Sequence, residues 1–167
     1  VPMTQTTQAS STHADRFKQS PAVRSAIEAI TAELRTHSGQ LTDIRGPIDG
    51  LGESYESMMA RAGATRGRGL FYPYLGSGLG NGPLVELADG SVKWDMISGI
   101  GVYFFGHSDP QMMQAALEAS LEDTQRQGNL QSTFDAFEFA ETLIAEASKS
   151  SSLAHCFLSP TGALANE

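Results

Sequence analysis

Cysteine is almost missing from this chain: Cys156 stands alone, so no intrachain disulfide can form and a thiolate metal cluster would lack its second sulfur. That usage fits a reducing, cytoplasmic setting. Basic charge is scarce as well. Eleven Lys and Arg face nineteen Asp and Glu, and the formal net charge of -8 comes with basic residues scattered rather than gathered into a stripe. Such a surface repels phosphate backbones and argues against nucleic-acid binding. No apolar run is long enough to read as a membrane span. The first residues have neither the apolar core of a secretory signal nor the arginines of a mitochondrial presequence. A G-x-S-x-G elbow is absent, and His13, His37, His107 and His155 show no ligand spacing with carboxylates or with Cys156. Metal and serine-nucleophile chemistry therefore have no support.

What is present reads as a mixed α/β chain. Residues 1–19 are rich in Ser, Thr and Gln and hold too little apolar surface to offset ordering, so they read as a mobile arm. Residues 20–66 read as a helical segment. Ser20 and Pro21 supply an N-cap and first turn, Val23, Ile27, Ile30 and Leu34 share a face, and Gly39 closes the helix. A weaker helix spans about residues 53–62, with Tyr55, Met58, Met59 and Ala62 on one side.

Residues 67–108 change pattern. GSGLGNGP, residues 76–83, is too glycine-rich for regular structure and is expected to be a loop. Neither it nor GIGVYFFG, residues 99–106, spells a dinucleotide fingerprint or a Walker sequence, so turn structure is the better reading. Residues 84–87 and 92–97 are strand candidates joined through Asp89 and Gly90, a strong hairpin signal.

Residues 109–167 return to helices. Asp109 and Pro110 start one that carries Met113, Leu117, Leu121 and Thr124 on one face and stops at Gly128. Another covers about residues 133–148, with Phe137, Ala140, Ile144 and Ala147 inward. AHCFL, residues 154–158, reads as a short buried strand. It runs into Thr161, Gly162 and Ala163 at a probable helix start. Taken alone, that turn is either an ordinary strand-to-helix connection or an anion site made from main-chain amides.

Two stretches together resemble the class III (ornithine/acetylornithine/4-aminobutyrate) aminotransferases, which depend on pyridoxal 5'-phosphate (PLP). GNGPLVELADGSVKWDMISGIGVYFFGHSDP, residues 80–110, is similar to the family's glycine-led strand, Asp-Gly hairpin, aspartate, G-I-A-V and G-H-x-x-P in order and spacing. CFLSPTGALANE, residues 156–167, is similar to its strand followed by S-G-A/T-E-A-N-E, although Leu164 replaces the usual glutamate. Residues 103–105 are more aromatic than is usual in the family, and the stretch before the match is longer than its common N-terminus.

The resemblance implies the N-terminal part of a fold type I PLP-dependent transferase: a small-domain hairpin with helices, then the first strand of the large-domain sheet, with residues 109–167 an incomplete start of that domain. It implies that Gly162 and Ala163 hold the PLP phosphate through their amides, with Thr161 beside them, and that Ile100 faces the substrate. It further implies an amino donor (acetylornithine, ornithine or another ω-amino compound), a 2-oxo acid acceptor, and a homodimer for the full-length protein. The family's cofactor lysine, the aspartate on the pyridine nitrogen and the substrate-carboxylate arginine fall beyond the position of Glu167. No residue of this chain therefore receives a catalytic role, and the chain alone is expected to be inactive. A non-catalytic remnant or subunit-binding module is the competing expectation.

Overall fold

The computed structural model describes residues 11–51, 54–123, 133–159 and 161–166. The chain divides into two compact units, residues 1–122 and residues 123–167.

Caps decide where the first unit's helices begin. In α1 (His13–Lys18) the Thr12 hydroxyl accepts from the Asp15 amide while the Asp15 carboxylate accepts from the Thr12 amide, a reciprocal capping box. The arm expected over residues 1–19 thus contains a helix. Local hydrogen bonds explain it, because none of its residues is buried; residues 1–10 lie outside the described residues. α2 (Pro21–Ser38) starts as expected, with the Ser20 hydroxyl accepting from the Val23 amide at 3.3 Å. Gly39 caps it without a left-handed turn; a β-carbon there would meet the Arg35 carbonyl at 2.8 Å. Ile27, Thr31 and Ser38 are its buried residues. Ile30, expected inward, is 48% exposed. It sits about 60° around the helix from Ile27, whereas Thr31 lies nearer the centre of the buried stripe and returns its hydroxyl to the Ile27 carbonyl. α3 (Tyr55–Arg66) begins at the Ser54 cap and runs one turn past the expected end, to a left-handed Gly67. Tyr55, Met58, Met59 and Ala62 are half-buried, as their spacing implied.

The sheet has order β1-β2-β3, all antiparallel. β2 (Leu84–Leu87) and β3 (Val92–Trp94) form the expected hairpin, with Gly90 at φ +76 in its turn. β3 is shorter than expected, ending where Asp95 begins a turn. The glycine-rich stretch expected to be a loop is instead β1 (Gly76–Asn81), paired with β2 through a tight Gly82–Pro83 turn and an irregularity between Gly76 and Gly80. Glycine weakens a strand by its own propensity, but here the neighbours demand it: a β-carbon on Gly80 would fall 2.5 Å from the Leu84 carbonyl. Arg45 extends the far edge, exchanging main-chain hydrogen bonds with Val92 while its side chain reaches the Gly90 carbonyl and Glu86. Leu41, Leu84 and Val92 form the buried core, with Leu79 against it.

α4 (Ser98–Gly101) is a single distorted turn, and α5 (Pro110–Ala119) packs on α2. Asp109 caps α5, accepting from the Gln111 and Met112 amides. α5 ends at Ser120, well short of the expected stop; Thr124 and Gly128 lie outside the described residues.

The second unit holds α6 (Phe134–Ala147) and the one-turn α7 (Gly162–Ala165). Ala140, Ile144 and Ala147 are half-buried as expected, but Phe137 is exposed. Residues 154–158 form no strand, and Phe157 is 79% exposed. Apolar sequence alone does not make a strand; its amides and carbonyls need a neighbouring strand to pair with, and the described part of this unit has none. The fold is therefore mixed α and β, with a small antiparallel sheet and without the expected large-domain strand among the described residues.

Candidate functional site

The richest grouping of polar chemistry lies where the chain leaves β3 at Asp95 and returns twelve residues later at His107. Asp95 follows β3 directly. One of its oxygens accepts from the Ile97 and Ser98 amides, both at 2.9 Å, and the other meets Nε2 of His107 at 2.6 Å. Both side chains are close to fully buried, at 10% and 8% exposed. An ionised carboxylate can only accept, so the close approach requires a proton on the His107 Nε2. Tyr103 stacks on the imidazole with ring centres 4.1 Å apart.

His107 is positioned by the hairpin. Its amide donates to the Gly82 carbonyl at 2.8 Å and its carbonyl accepts from the Gly82 amide at 3.2 Å. The next residue, Ser108, accepts the Gly80 amide on its hydroxyl. His107 also lines a cleft of about 360 Å³ together with Arg35, Asn81 and Asp109.

Burial alone would raise the Asp95 carboxyl. Hydrogen bonds from His107 and from the Ile97 and Ser98 amides, with the nearby His107 charge, outweigh it and hold Asp95 below the usual carboxylate range. Burial pushes Tyr74 up, and neighbouring Tyr103 and Asp95 add to that.

The loop closed by this pair is unusual in its backbone. Ser98, Ile100 and Ser108 are the non-glycine residues with positive φ among the described residues, and Gly99, Gly101 and Gly106 share that sign. A left-handed conformation costs an L-residue about 1–2 kcal/mol, and a β-branched one is a clear outlier. Ile100, the residue expected to face substrate, takes φ 56 and ψ 49 and is 92% exposed. Met96, Val102, Phe104 and Phe105 are exposed around it.

The other expected site lies in the second unit. Thr161 precedes α7, and Gly162 and Ala163 are its first two residues; all three are exposed. The Thr161 carbonyl accepts from the Ala165 amide at 3.0 Å and from the Ser159 hydroxyl at 3.2 Å. A β-carbon on Gly162 would meet nothing within 4 Å. The first amides of any helix have no intrahelical acceptor, so those of Gly162 and Ala163 fit a phosphate by their chemistry. Lys149, the lysine of this unit, is held by Glu146 at 2.6 Å.

The Asp95–His107 pair is not evident from the sequence. Both residues stand in the stretch that resembles the aminotransferases, yet twelve positions separate them, and spacing along the chain carries no sign that they meet. Among the described residues no group of three or more His, Cys, Asp and Glu is placed to hold a metal ion, and Cys156 is a free, half-buried thiol. No described helix is long and apolar enough to cross a membrane. No protein-family model, curated protein or solved structure matches this chain.

Proposed function

We propose that this chain is the first part of a PLP-dependent aminotransferase of the class III type, which moves an amino group from an amino donor, an ω-amino compound among them, to a 2-oxo acid. The observation that carries this reading is the convergence of the patterned residues of 80–110. Across the stretch that resembles the family, Asp95 meets the His107 ring, Gly80 lies against the β-carbon of His107, and Gly106 lies against Gly82. A stretch whose patterned residues close on one another is a structural unit, and its likeness to the family is harder to attribute to composition alone.

In this reading the chain's own residues bind and position. The amides of Gly162 and Ala163 hold the cofactor phosphate, and the Thr161 hydroxyl adds a weaker contact. When bound, PLP supplies the electron sink that makes the amino carbon's proton removable. Ile100 offers an apolar side chain to the substrate from a loop whose ends are pinned at Asp95 and His107. The cofactor lysine is expected downstream of Glu167, and the protein works as a homodimer in a cytoplasmic setting.

The test is to extend the coding sequence beyond Glu167 and measure PLP retention after desalting. Stoichiometric retention that one downstream lysine substitution abolishes, with turnover of an ω-amino donor and a 2-oxo acid, is the expected result. A frame that stops without a further lysine, in a protein that retains no PLP, overturns it in favour of a non-catalytic remnant.

A further inference from the structure

We infer that Asp95 and His107 form a latch that holds the loop of residues 96–106, with its left-handed turn at residues 98–101, and so fixes where Ile100 is presented. Both are positioning residues. Calling Ile100 substrate-facing rests on the aminotransferase reading; the latch itself does not.

Three observations converge on it. First, one carboxylate serves both ends of the loop. It caps the amides of Ile97 and Ser98 where the chain departs and takes the His107 ring where the chain returns. Second, the return end is rigid. The main chain of His107 is bridged to Gly82, its β-carbon occupies the space a side chain on Gly80 would need, and a β-carbon on Gly106 would meet Gly82 Cα at 2.8 Å. Third, the loop between these ends has few contacts of its own, the Tyr103 stack on the His107 ring and main-chain hydrogen bonds from Ile100 to Ile97, Tyr103 to Ser98 and Gly106 to Tyr103. Ile100 is 92% exposed, Phe104 83% and Val102 78%, while Ser98 and Ile100 stand in backbone conformations that L-residues avoid. A segment with unfavourable local conformation and little burial keeps its shape only if the surroundings over-determine it. The carboxylate is the part of those surroundings that reaches both ends.

The acid behaviour of such a latch follows from its hydrogen bonds. Protonated Asp95 loses the acceptor capacity of one oxygen, so the latch weakens as Asp95 takes up its proton. His107, Tyr103 and Tyr74 are the titratable groups facing the carboxylate. The Tyr74 phenol, pushed above its ordinary value by burial, carries no charge in acid.

Hydrogen exchange of the 167-residue chain, corrected for intrinsic rates, tests this. In Asp95→Ala, which removes both oxygens, the amides of residues 97–106 should exchange roughly tenfold faster or more, while those of Leu87 and Val92 in the hairpin change little; a tenfold change corresponds to about 1.4 kcal/mol. Adding Ile100→Gly to Asp95→Ala should leave the loop's exchange fast, since removing strain does not rebuild the clasp. In the unmodified chain, acidification below about pH 4 should loosen residues 97–106 before the hairpin, a comparison that needs no variant to fold. Unchanged protection in Asp95→Ala, or loop and hairpin loosening together in acid, overturns the latch. Either failure leaves the aminotransferase reading standing, because PLP retention by the extended protein decides that separately.

Discussion

Gly80 and His107 are so close that a β-carbon on Gly80 would lie 2.4 Å from the β-carbon of His107, with the Leu84 carbonyl 2.5 Å away on another side. Neither neighbour is the far end of a flexible side chain. Gly80→Ala should therefore push β1 off β2 or displace His107, and overpacking of this kind typically costs about 1–3 kcal/mol. Urea unfolding of the purified chain measures it. A Gly80→Ala variant as stable as the unmodified protein would mean that the histidine is not seated against β1.

Asp89 in the β2–β3 turn gives a second expectation. Its carboxylate accepts from the Ser91 amide at 2.9 Å and the Ser91 hydroxyl at 2.6 Å. Burial works to raise its pKa, but the Ser91 hydrogen bonds and the Lys93 charge outweigh burial and lower it. A carboxyl with a lowered folded-state pKa contributes stability that is fully present above its unfolded value of about 3.9 and is lost as pH falls through the folded value. Stability should thus drop below pH 4. Asp89→Ala should flatten that acid limb and cost roughly 1–2 kcal/mol at pH 7 for two lost hydrogen bonds. An acid limb unchanged in Asp89→Ala would remove this residue from the account.

The features legible in the sequence are those set by near neighbours. Ser20–Pro21 and Asp109–Pro110 mark helix starts because a cap needs only the next few amides, and Asp89–Gly90 marks the hairpin because its turn needs only those residues. β1 was hidden because its glycines disfavour a strand, and the reason for them, the seat of His107 and the approach of the Leu84 carbonyl, lies across the sheet. The Asp95–His107 contact was hidden because the loop that creates it has no periodicity to read. Residues 154–158 mislead in the opposite sense: their apolar run looks like a strand, but a strand also requires a partner that no local pattern supplies. For the expected sites, Ile100 was placed by resemblance without any sign of its left-handed backbone, whereas the helix start after Thr161 was legible from small residues alone.

Ile100→Gly should behave unlike most isoleucine-to-glycine changes. The side chain is 92% exposed, so little burial is lost. The left-handed backbone costs isoleucine about 1–2 kcal/mol and glycine nothing, while glycine's extra freedom in the unfolded chain takes back roughly 0.5–1 kcal/mol. The variant should be neutral or slightly more stable in thermal melts. Destabilisation beyond about 1 kcal/mol would show that Ile100 is packed or not left-handed.

Residues 123–167 should not melt cooperatively. None of the described residues in this unit is buried, and the hydroxyl of its α6 cap residue, Thr133, has no hydrogen-bond partner. Cooperative unfolding draws on a shared core, which here comprises Leu41, Leu84 and Val92 of the first unit. Amides of α6 should exchange far faster than those of Leu87 and Val92, and a sharp transition that protects both sets alike would contradict this.

The expected cofactor site is tested by two substitutions. Gly162 lies outside the left-handed region, and a β-carbon there meets nothing within 4 Å, so Gly162→Val should not disturb this chain. Any loss of PLP binding in the extended protein would then come from a branched side chain placed where the phosphate approaches the Gly162 and Ala163 amides. Thr161→Ala removes one hydroxyl and leaves those amides in place, which forfeits about 0.5–1.5 kcal/mol, or a few-fold to roughly tenfold in affinity. The expected order is therefore a large loss for Gly162→Val and a small one for Thr161→Ala in PLP titrations of the apo extended protein, with unchanged melting of the first unit as the control. If Gly162→Val bound PLP as tightly as the unmodified protein, the phosphate would lie elsewhere.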